Sequence, residues 1–371
     1  MKETTPPQPP DRVAAISARK RDHLRIALSA EGQSPVDPGW GDVKLVPAAV
    51  PNVDPDDVDL TTMLLGHRLA APVVLAPMTG GDPISAEVNR TLGWAAEALG
   101  LAVGVGSQRA ALVEPSLSST YSAVRDRAPT AMVLANIGMS QLLDQADRGA
   151  LTPAEVQAIV DMVGADALTV HFNVLQEMAQ PEGDRSLGPA APALRALVAR
   201  CPVPVIAKET GSGIDQESAS LLADCGVAAL DVGGAGGTSF VRIEAQRAAE
   251  AGDREQAELG RLFAGWGIPA AASVLEAGGA GLPVIATGGI RNGLDAARAL
   301  ALGATCVGLG RVAGEAAVAG PEVLLARLER LLAELRMALV LCGARMPRDL
   351  TRRPPVLGGD TLEWARQRGL W

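Results

Sequence analysis

The residues best suited to chemistry are polar side chains that follow short apolar runs. In the segment HFNVLQE, His171 and Asn173 stand two residues apart, so both point to the same side of a strand. Glu177 is an isolated carboxylate and is a candidate Mg2+ ligand, since magnesium takes one or two protein carboxylates and completes its octahedron with water and phosphate oxygens. Gln176 is a neutral amide that could orient a proton or a substrate. The alternative is a structural loop in which Glu177 caps a helix or pairs with Arg185.

Two glycine-rich turns predict a phosphate site. The sequence TGGIRNG begins at Thr287 and GLGR begins at Gly308, each after an apolar run. Glycines let backbone N–H groups turn towards a ligand, and a helix N-terminus adds a favourable dipole. The predicted contacts are Gly288, Gly289, Arg291, Gly310 and Arg311. Tight turns without a ligand are the alternative, and the pattern by itself indicates phosphate rather than flavin.

A flavin is inferred from a combination of segments. Ala76, Pro77, Met78 and Thr79 follow the first apolar run and offer backbone to the edge of a flat ring. Lys208 closes the fifth run, where its charge would stabilise the anionic form of a reduced flavin, so we assign it both a catalytic and a cofactor-binding role. Lys208 could instead form a Schiff base, as in barrel aldolases, or pair with an acidic residue.

These segments need a scaffold that brings many strand ends together. From Pro72 onward, eight apolar runs alternate with alanine-rich amphipathic segments, which indicates βαβ units and a parallel sheet. The runs are Val73–Pro77, Leu101–Gly106, Ala131–Ala135, Ala167–His171, Pro204–Lys208, Ala228–Val232, Pro283–Thr287 and Cys306–Leu309. We predict an α/β fold, a closed (β/α)8 TIM barrel with an N-terminal extension, whose active site lies at the C-terminal ends of the strands. A doubly wound open sheet is the alternative.

The remainder of the chain is predicted to be a tail, an extension and an insertion. Residues 1–14 carry four prolines and are predicted to be disordered. Residues 15–371 form one predicted domain, in which 15–70 are the N-terminal extension and a helix runs from Ala14 to Leu28. Residues 238–267 form an insertion much longer than a usual βα loop, which acts as a lid or is a solvated surface helix.

Composition excludes several classes of function. The net charge of −9 without a lysine run speaks against nucleic acid and anionic membrane as partners. The chain is 48% hydrophobic and 20% charged, which is typical of a soluble globular protein, and no apolar run is long enough to cross a bilayer. Four cysteines without a CxxC pair, and no signal peptide, predict a reducing cytoplasm. With three histidines and no GxSxG motif, the chemistry is expected to come largely from a cofactor.

Taken together, the motifs resemble those of the type 2 isopentenyl-diphosphate isomerases. The segments that carry the resemblance are RKRDH from Arg19, MTGG from Met78, VGSQR from Val105, HFNVLQE from His171, PEGD from Pro181, KETGSG from Lys208, GGAGGTS from Gly233 and the turn from Thr287. The resemblance implies interconversion of isopentenyl and dimethylallyl diphosphate by reduced FMN acting as an acid–base catalyst, with NADPH as reductant and Mg2+ present. It also implies a homo-oligomer, a tetramer or larger.

Carried over onto matching positions, the resemblance implies three groups of site residues. The prenyl diphosphate would contact Arg19, Lys20, His23, Ser107, Arg109 and Gln176, to which strand periodicity adds His171 and Asn173. Glu177 would bind Mg2+. FMN would contact Thr79, Ser107, Asn136, Lys208, Ser212, Thr238, Gly289 and Arg291. Arginine forks and a lysine suit a diphosphate in an otherwise acidic protein.

Three positions depart from the family pattern, and other functions stay open. Phe240 stands where tryptophan is usual, and Phe172 and Val174 replace leucine and proline, so the substrate could be a modified prenyl group. An FMN-dependent 2-hydroxy-acid oxidase would need a histidine base and an arginine near the sixth strand, where this chain has GAGGTSF from Gly234. An inosine-monophosphate-dehydrogenase-like enzyme would need a cysteine beyond that strand, but Cys225 precedes it. A non-catalytic phosphate-binding barrel would have no use for Gln176 and Glu177.

Overall fold

The N-terminal part of the chain is an extension outside the main sheet. The computed structural model describes residues 12–146, 148–180, 183–184 and 186–371. Its first helix, α1 (Arg12–Leu28), begins two residues before the predicted start, and residues 1–11 of the predicted tail lie outside the described part of the chain. Three short strands follow: β1 (Val43–Lys44), β2 (Thr62–Leu64) and β3 (His67–Leu69).

Eight parallel strands close into a barrel, as predicted. In chain order they are β4 (Val73–Leu75), β5 (Ala102–Gly104), β6 (Val133–Gly138), β7 (Ala167–Phe172), β8 (Val205–Glu209), β9 (Ala229–Asp231), β10 (Val284–Thr287) and β11 (Cys306–Leu309). Each strand pairs with the next along the chain, and β11 pairs with β4 to close the ring. A last short strand, β12 (Val356–Leu357), pairs antiparallel with β1 of the extension. The open-sheet alternative is therefore wrong.

Helices surround the barrel because their apolar faces cover the outer side of the strands. Beyond α1 they are α2 (Pro83–Leu99), α3 (Arg109–Val113), α4 (Ser119–Ser122), α5 (Pro153–Val163), α6 (Val174–Ala179), α7 (Ala190–Val198), α8 (Gln216–Asp224), α9 (Phe240–Glu250), α10 (Arg254–Leu262), α11 (Ala270–Gly278), α12 (Gly293–Ala301), α13 (Arg311–Ala319), α14 (Pro321–Cys342) and α15 (Gly359–Gln367). Several carry local signals that fix their ends, such as Thr152 and Glu155 in a capping box at the start of α5. No helix in the described ranges combines the length and the apolar character needed to traverse a bilayer.

Because side chains alternate along the strands, apolar residues fill the barrel interior towards the N-terminal ends of the strands and leave a cavity at the C-terminal ends. One buried apolar cluster takes a residue from each barrel strand, such as Val74, Ile206 and Ile285, together with Leu64 and Leu69 of the β2–β3 hairpin. Since side chains alternate with a period of two, positions two or four residues further along point to the same interior. Those positions are Ala76, Gly106, Asn136, His171, Lys208, Asp231, Thr287 and Gly308. These positions therefore form a ring of polar and small residues at the C-terminal end of the barrel.

The insertion after β9 folds as the helix pair α9 and α10, which pack on each other. Five residues of α9 are buried, and four of them, Val241, Glu244, Ala245 and Ala248, have the spacing of one helix face. This face contacts α1 and α6. The insertion thereby joins the N-terminal extension at the C-terminal end of the barrel.

Candidate active site

A cavity of about 610 Å3 opens at the C-terminal ends of the strands. It is lined by nearly every residue that the sequence singled out. These are Arg19, Lys20, His23, Ala76, Pro77, Met78, Thr79, Ser107, Arg109, Asn136, His171, Asn173, Gln176, Glu177, Lys208, Thr238, Gly288, Gly289, Arg291, Gly310 and Arg311. Their convergence follows from the parallel barrel, which places all eight strand ends on one face.

Ser212 is the predicted cofactor contact that the structure does not bring to this cavity. Its backbone N–H is one of three successive amides that donate to Oε2 of Glu209, at 2.6 Å from Gly211, 2.5 Å from Ser212 and 3.0 Å from Gly213. These three bonds anchor the loop after β8. Ser212 lies at a small adjoining crevice, which Glu209 and Trp266 also line.

The glycine turn after β10 has the geometry of a phosphate cradle. Gly288 and Gly289 adopt φ of 123° and 68°, which L side chains rarely adopt. Trp40, buried in the extension, donates from Nε1 to the carbonyl of Gly288 at 2.9 Å and so fixes the turn from behind. At Gly310, an added Cβ would meet no protein atom within 4 Å, because this glycine faces open space in front of the N-terminus of α13. Backbone donors, a helix N-terminus and free space suit a phosphate group.

The two arginines of the cradle are held by the protein itself. Arg291 donates from Nη2 to the carbonyl of Gly236 at 3.2 Å. Arg311 donates to the carbonyls of Leu28 and Ser29, both at 3.1 Å, at the end of α1. The cradle is thereby tied to the extension that carries Arg19 and Lys20 of the cavity.

Lys208 and Asp231 form a buried ion pair at the tips of β8 and β9. The Nζ of Lys208 lies 3.1 Å from Oδ2 of Asp231, and their side chains are 7% and 5% exposed. The two residues are paired across adjacent strands, which explains the contact. Pairing with an acidic residue was one of the alternatives for Lys208, and Asp231 is such a partner. One lysine can hold a carboxylate on one side and still present charge to the cavity that it lines.

His171 is a neutral ring with a defined tautomer. Asn136 donates from Nδ2 to the carbonyl of Val105 at 3.1 Å, so its Oδ1 faces Nδ1 of His171 at 3.0 Å. Because that oxygen only accepts, the ring proton is on Nδ1. Burial, with the charges of Lys20 and Lys208, lowers the pKa of His171 to about 3. The cavity therefore gains a polar ring without a positive charge.

A group of neighbouring cations, Arg19, Lys20 and Arg109, also lines the cavity. Burial and the two neighbouring guanidinium groups lower the pKa of Lys20 to about 8. Arg109 is held by Asp184, whose Oδ2 lies 3.1 Å from its Nη1. Such a concentration of positive charge is costly without an anion, so this part of the cavity is suited to a multiply charged ligand.

Glu177 lines the cavity next to this group. Its Oε1 accepts from Nδ2 of Asn173 at 2.9 Å, and its Oε2 accepts from the backbone N–H of Asp184 at 2.8 Å. Burial raises the pKa of this carboxyl. Each oxygen retains a lone pair, which leaves a ligand for a hard cation. Arg185, the alternative partner, lies outside the described residues, as do Pro181 and Glu182 of the PEGD motif.

Glu244 on α9 is a site residue that the sequence analysis missed. Its Oε1 accepts from Nε2 of Gln176 at 2.9 Å and lies 2.9 Å from Nε2 of His23, and its Oε2 lies 2.5 Å from Nη1 of Arg247. Burial lowers the pKa of His23, against the raising effect of its contact with Glu244. Although burial opposes ionisation, these partners lower the pKa of Glu244 to about 2. A carboxylate on the apolar face of α9 is the signal that could have identified it.

Two of the three departures from the family pattern lie away from the cavity. Among described residues, Phe240 lines it, whereas Phe172 and Val174 do not, and Val174 is exposed. Phe240 is thus the departure that can alter the shape of the substrate site.

Comparison with known proteins identifies relatives along nearly the whole chain. A protein-family model described as FMN-dependent dehydrogenase matches residues 173–354. The isopentenyl-diphosphate delta-isomerase of Methanoregula boonei is 45% identical over 353 residues, which cover 94% of this chain and 95% of that protein. The enzyme of the same name from Methanothermobacter thermautotrophicus is 42% identical, with coverage of 95% and 97%. A crystal structure of a mandelate oxidase variant aligns with a TM-score of 0.61 at 21% identity, over 94% of this chain and 98% of that one, which shows the shared fold alone.

Proposed function

This chain belongs to the FMN-dependent isopentenyl-diphosphate delta-isomerase family, and from that premise we propose how its cavity interconverts isopentenyl and dimethylallyl diphosphate. The observation that carries the proposal is the presence of two anion sites in one cavity. The glycine cradle lines this cavity, and so do the neighbouring cations Arg19, Lys20 and Arg109. A flavin nucleotide and a prenyl diphosphate can then be bound together in this cavity, each through its phosphate groups.

FMN fits the residues on the cradle side. The phosphate would be held by the backbone of Gly288, Gly289 and Gly310, and Thr79, Asn136, Thr238 and Lys208 would line the ribityl chain and ring. Thr287 supports this assignment, because its buried Oγ1 lines the cavity without a protein partner in the described ranges. When bound and reduced, FMN supplies the acid–base chemistry that moves a proton between the two ends of the allylic system.

The protein side chains would bind and orient the alkene. Protonation of a double bond develops positive charge on carbon, and a cationic side chain beside it would oppose the reaction. His171, which is neutral and keeps its proton on Nδ1, therefore suits the wall of this cavity. Gln176 presents an amide whose Nε2 is fixed by Glu244, so its orientation towards the substrate is set before binding.

The diphosphate end would be bound by charge. Arg19, Lys20 and Arg109 would neutralise its oxygens, with His23 and Ser107 beside them. Glu177 would hold one Mg2+ between the protein and the diphosphate, the mode by which magnesium usually meets phosphates. α1 and α9 would act as a lid that excludes water over the bound pair.

Three further features belong to the proposal. NADPH serves as the reductant of the flavin, and the enzyme acts as a homo-oligomer, a tetramer or larger, in the cytoplasm. The family resemblance supports the first two, and the cysteine usage supports a reducing compartment.

Turnover of alternative substrates tests the function. Purified protein loaded with FMN would be given isopentenyl diphosphate with NADPH and Mg2+, and separately lactate or mandelate with oxygen. Dimethylallyl diphosphate should form in the first reaction, and no 2-oxo acid should form in the second. Oxidation of the hydroxy acid without isomerisation would assign the barrel to the oxidases instead.

A further inference from the structure

Asp184 lies behind the wall of the cavity and gathers three side-chain donors on one oxygen. Its Oδ2 accepts from Oγ of Ser140 at 2.7 Å, from Nη2 of Arg148 at 2.8 Å and from Nη1 of Arg109 at 3.1 Å. The residue is 8% exposed. Of these partners, Arg109 lines the cavity. The cluster therefore reaches the ligand through Arg109.

The backbone of Asp184 makes a second connection to the cavity. Its N–H donates to Oε2 of Glu177 at 2.8 Å, while Asn173 holds the other oxygen of that carboxylate. One residue is thus bonded to a cation and to an anion that both line the cavity. These are the two kinds of group that a metal–diphosphate complex requires, and Asp184 connects them.

The charges of the cluster explain why Arg109 stays available to a ligand. Oδ2 of Asp184 contacts two guanidinium groups, those of Arg109 and Arg148, so one carboxylate faces two positive charges. Because Arg148 shares the single negative charge, Arg109 is oriented without being fully neutralised. A carboxylate paired with Arg109 alone would compete more strongly with the ligand.

We propose that Asp184 is a positioning residue that fixes Arg109 and Glu177 relative to each other for a metal-bound diphosphate. The proposal rests on the assignment of the cavity to a prenyl diphosphate. It goes further by placing the determinant of diphosphate affinity in a residue that does not line the cavity.

The test compares Asp184→Asn with a matched pair elsewhere in the barrel. Asp166 also holds an arginine, with its Oδ2 3.2 Å from Nη2 of Arg125 and 2.8 Å from the backbone nitrogen of Val133, and its side chain is 28% exposed. Pyrophosphate with Mg2+ is titrated by calorimetry into the FMN-loaded variants. We expect D184N to weaken its binding about tenfold or more, and D166N to leave it within about twofold. The affinity for FMN, read from flavin fluorescence, should be unchanged in both.

Steady-state kinetics and a double mutant separate positioning from general damage. In D184N the KM for isopentenyl diphosphate should rise about tenfold while kcat falls by less than about threefold, since the groups beside the alkene are untouched. In an Arg109→Ala background, D184N should add less than about a twofold loss of pyrophosphate affinity, because it acts through Arg109. If D184N does not fold, Arg148→Gln provides the test instead. Its affinity for pyrophosphate should fall about threefold, because the whole charge of Asp184 then acts on Arg109.

Wild-type pyrophosphate affinity in D184N, or in R148Q where D184N cannot be purified, would overturn the proposal, as would fully additive losses in the double mutant. The titration needs no turnover, so it stands apart from the function of the enzyme. Wild-type protein that binds pyrophosphate without isomerising the alkene would contradict the proposed function and leave the role of Asp184 to be decided by the titration.

Discussion

Gln176 donates from Nε2 to Oε1 of Glu244 at 2.9 Å, which joins α6, the helix after the fourth barrel strand, to α9 in the insertion after the sixth. The two residues are 68 positions apart in the chain. The contact fixes the amide that lines the cavity and makes the insertion part of the site.

Glu244→Gln should therefore lower kcat without loss of flavin. A glutamine offers one acceptor oxygen where the carboxylate offers two, so Gln176, His23 and Arg247 can no longer all keep their partners. Misorientation of a positioned group costs about 10- to 100-fold in rate. The control is Glu250→Gln on the same helix, whose carboxylate binds Arg25 at 2.8 Å at the surface. Equal kcat values for the two variants, measured with reduced FMN, would refute a role for Glu244.

The pH dependence of diphosphate binding should reflect Lys20. In the free enzyme its pKa is lowered to about 8, and a bound diphosphate would raise it. Below that value the lysine is charged in both states, so affinity is constant. Above it, binding must take up a proton, and affinity should fall by up to about tenfold per pH unit.

Lys20→Arg provides the comparison for that experiment. A guanidinium stays protonated over the whole range, so the pyrophosphate affinity of K20R should lack the decline above pH 8 that the lysine causes. The ionisation of the ligand is common to both proteins and cancels in the ratio of their affinities. A ratio of affinities that stays constant from about pH 7 to about pH 9.5 would show that Lys20 does not titrate in that range, into which burial brings the pKa of a lysine.

Gly310→Ala should weaken FMN binding without destabilising the protein. An added Cβ meets no protein atom within 4 Å, so only a ligand in the cradle would contact it. We expect the FMN affinity to fall about tenfold or more and the stability of the cofactor-free protein to change by less than about 1 kcal/mol. Gly278→Ala, at an equally open glycine at the end of α11, should change neither quantity. Unchanged FMN affinity in G310A would place the phosphate elsewhere.

Asp231→Asn should destabilise the cofactor-free protein more than the loaded one. It leaves the charge of Lys208 buried without its partner, a change that costs roughly 3–5 kcal/mol. An anionic reduced flavin beside Lys208 would restore part of that loss, so the deficit in Tm should shrink when reduced FMN is bound. Glu87→Gln at the exposed pair with Arg90 should have almost no effect in either state. An equal deficit with and without FMN would contradict a flavin contact for Lys208.

The barrel and the cradle could be predicted because their signals are local. Continuous apolar runs such as Val284–Thr287 specify buried parallel strands, and the glycines that follow have few uses besides a tight turn near a ligand. Strand periodicity then placed His171 and Lys208 at one end of the fold. The same rule accounts for the pairing of Lys208 with Asp231, although the sequence did not name the partner.

What could not be predicted depends on contacts between distant segments. Ser212 was expected at the flavin, but it lines a crevice beside the cavity, where its backbone N–H donates to Glu209. Glu244 becomes part of the site only because α9 packs against α6 and α1. Asp184 likewise acquires its role from Arg109, 75 positions earlier in the chain.

The central claim is that one cavity holds a flavin and a prenyl diphosphate and moves a proton between two carbons of the alkene. It is tested most directly by incubating the FMN-loaded protein with isopentenyl diphosphate and Mg2+ in D2O, with and without reduction of the flavin, and recording the products by NMR. Dimethylallyl diphosphate carrying deuterium in a methyl group should accumulate only with reduced flavin. Failure of the reduced, substrate-binding protein to form that product would contradict the account.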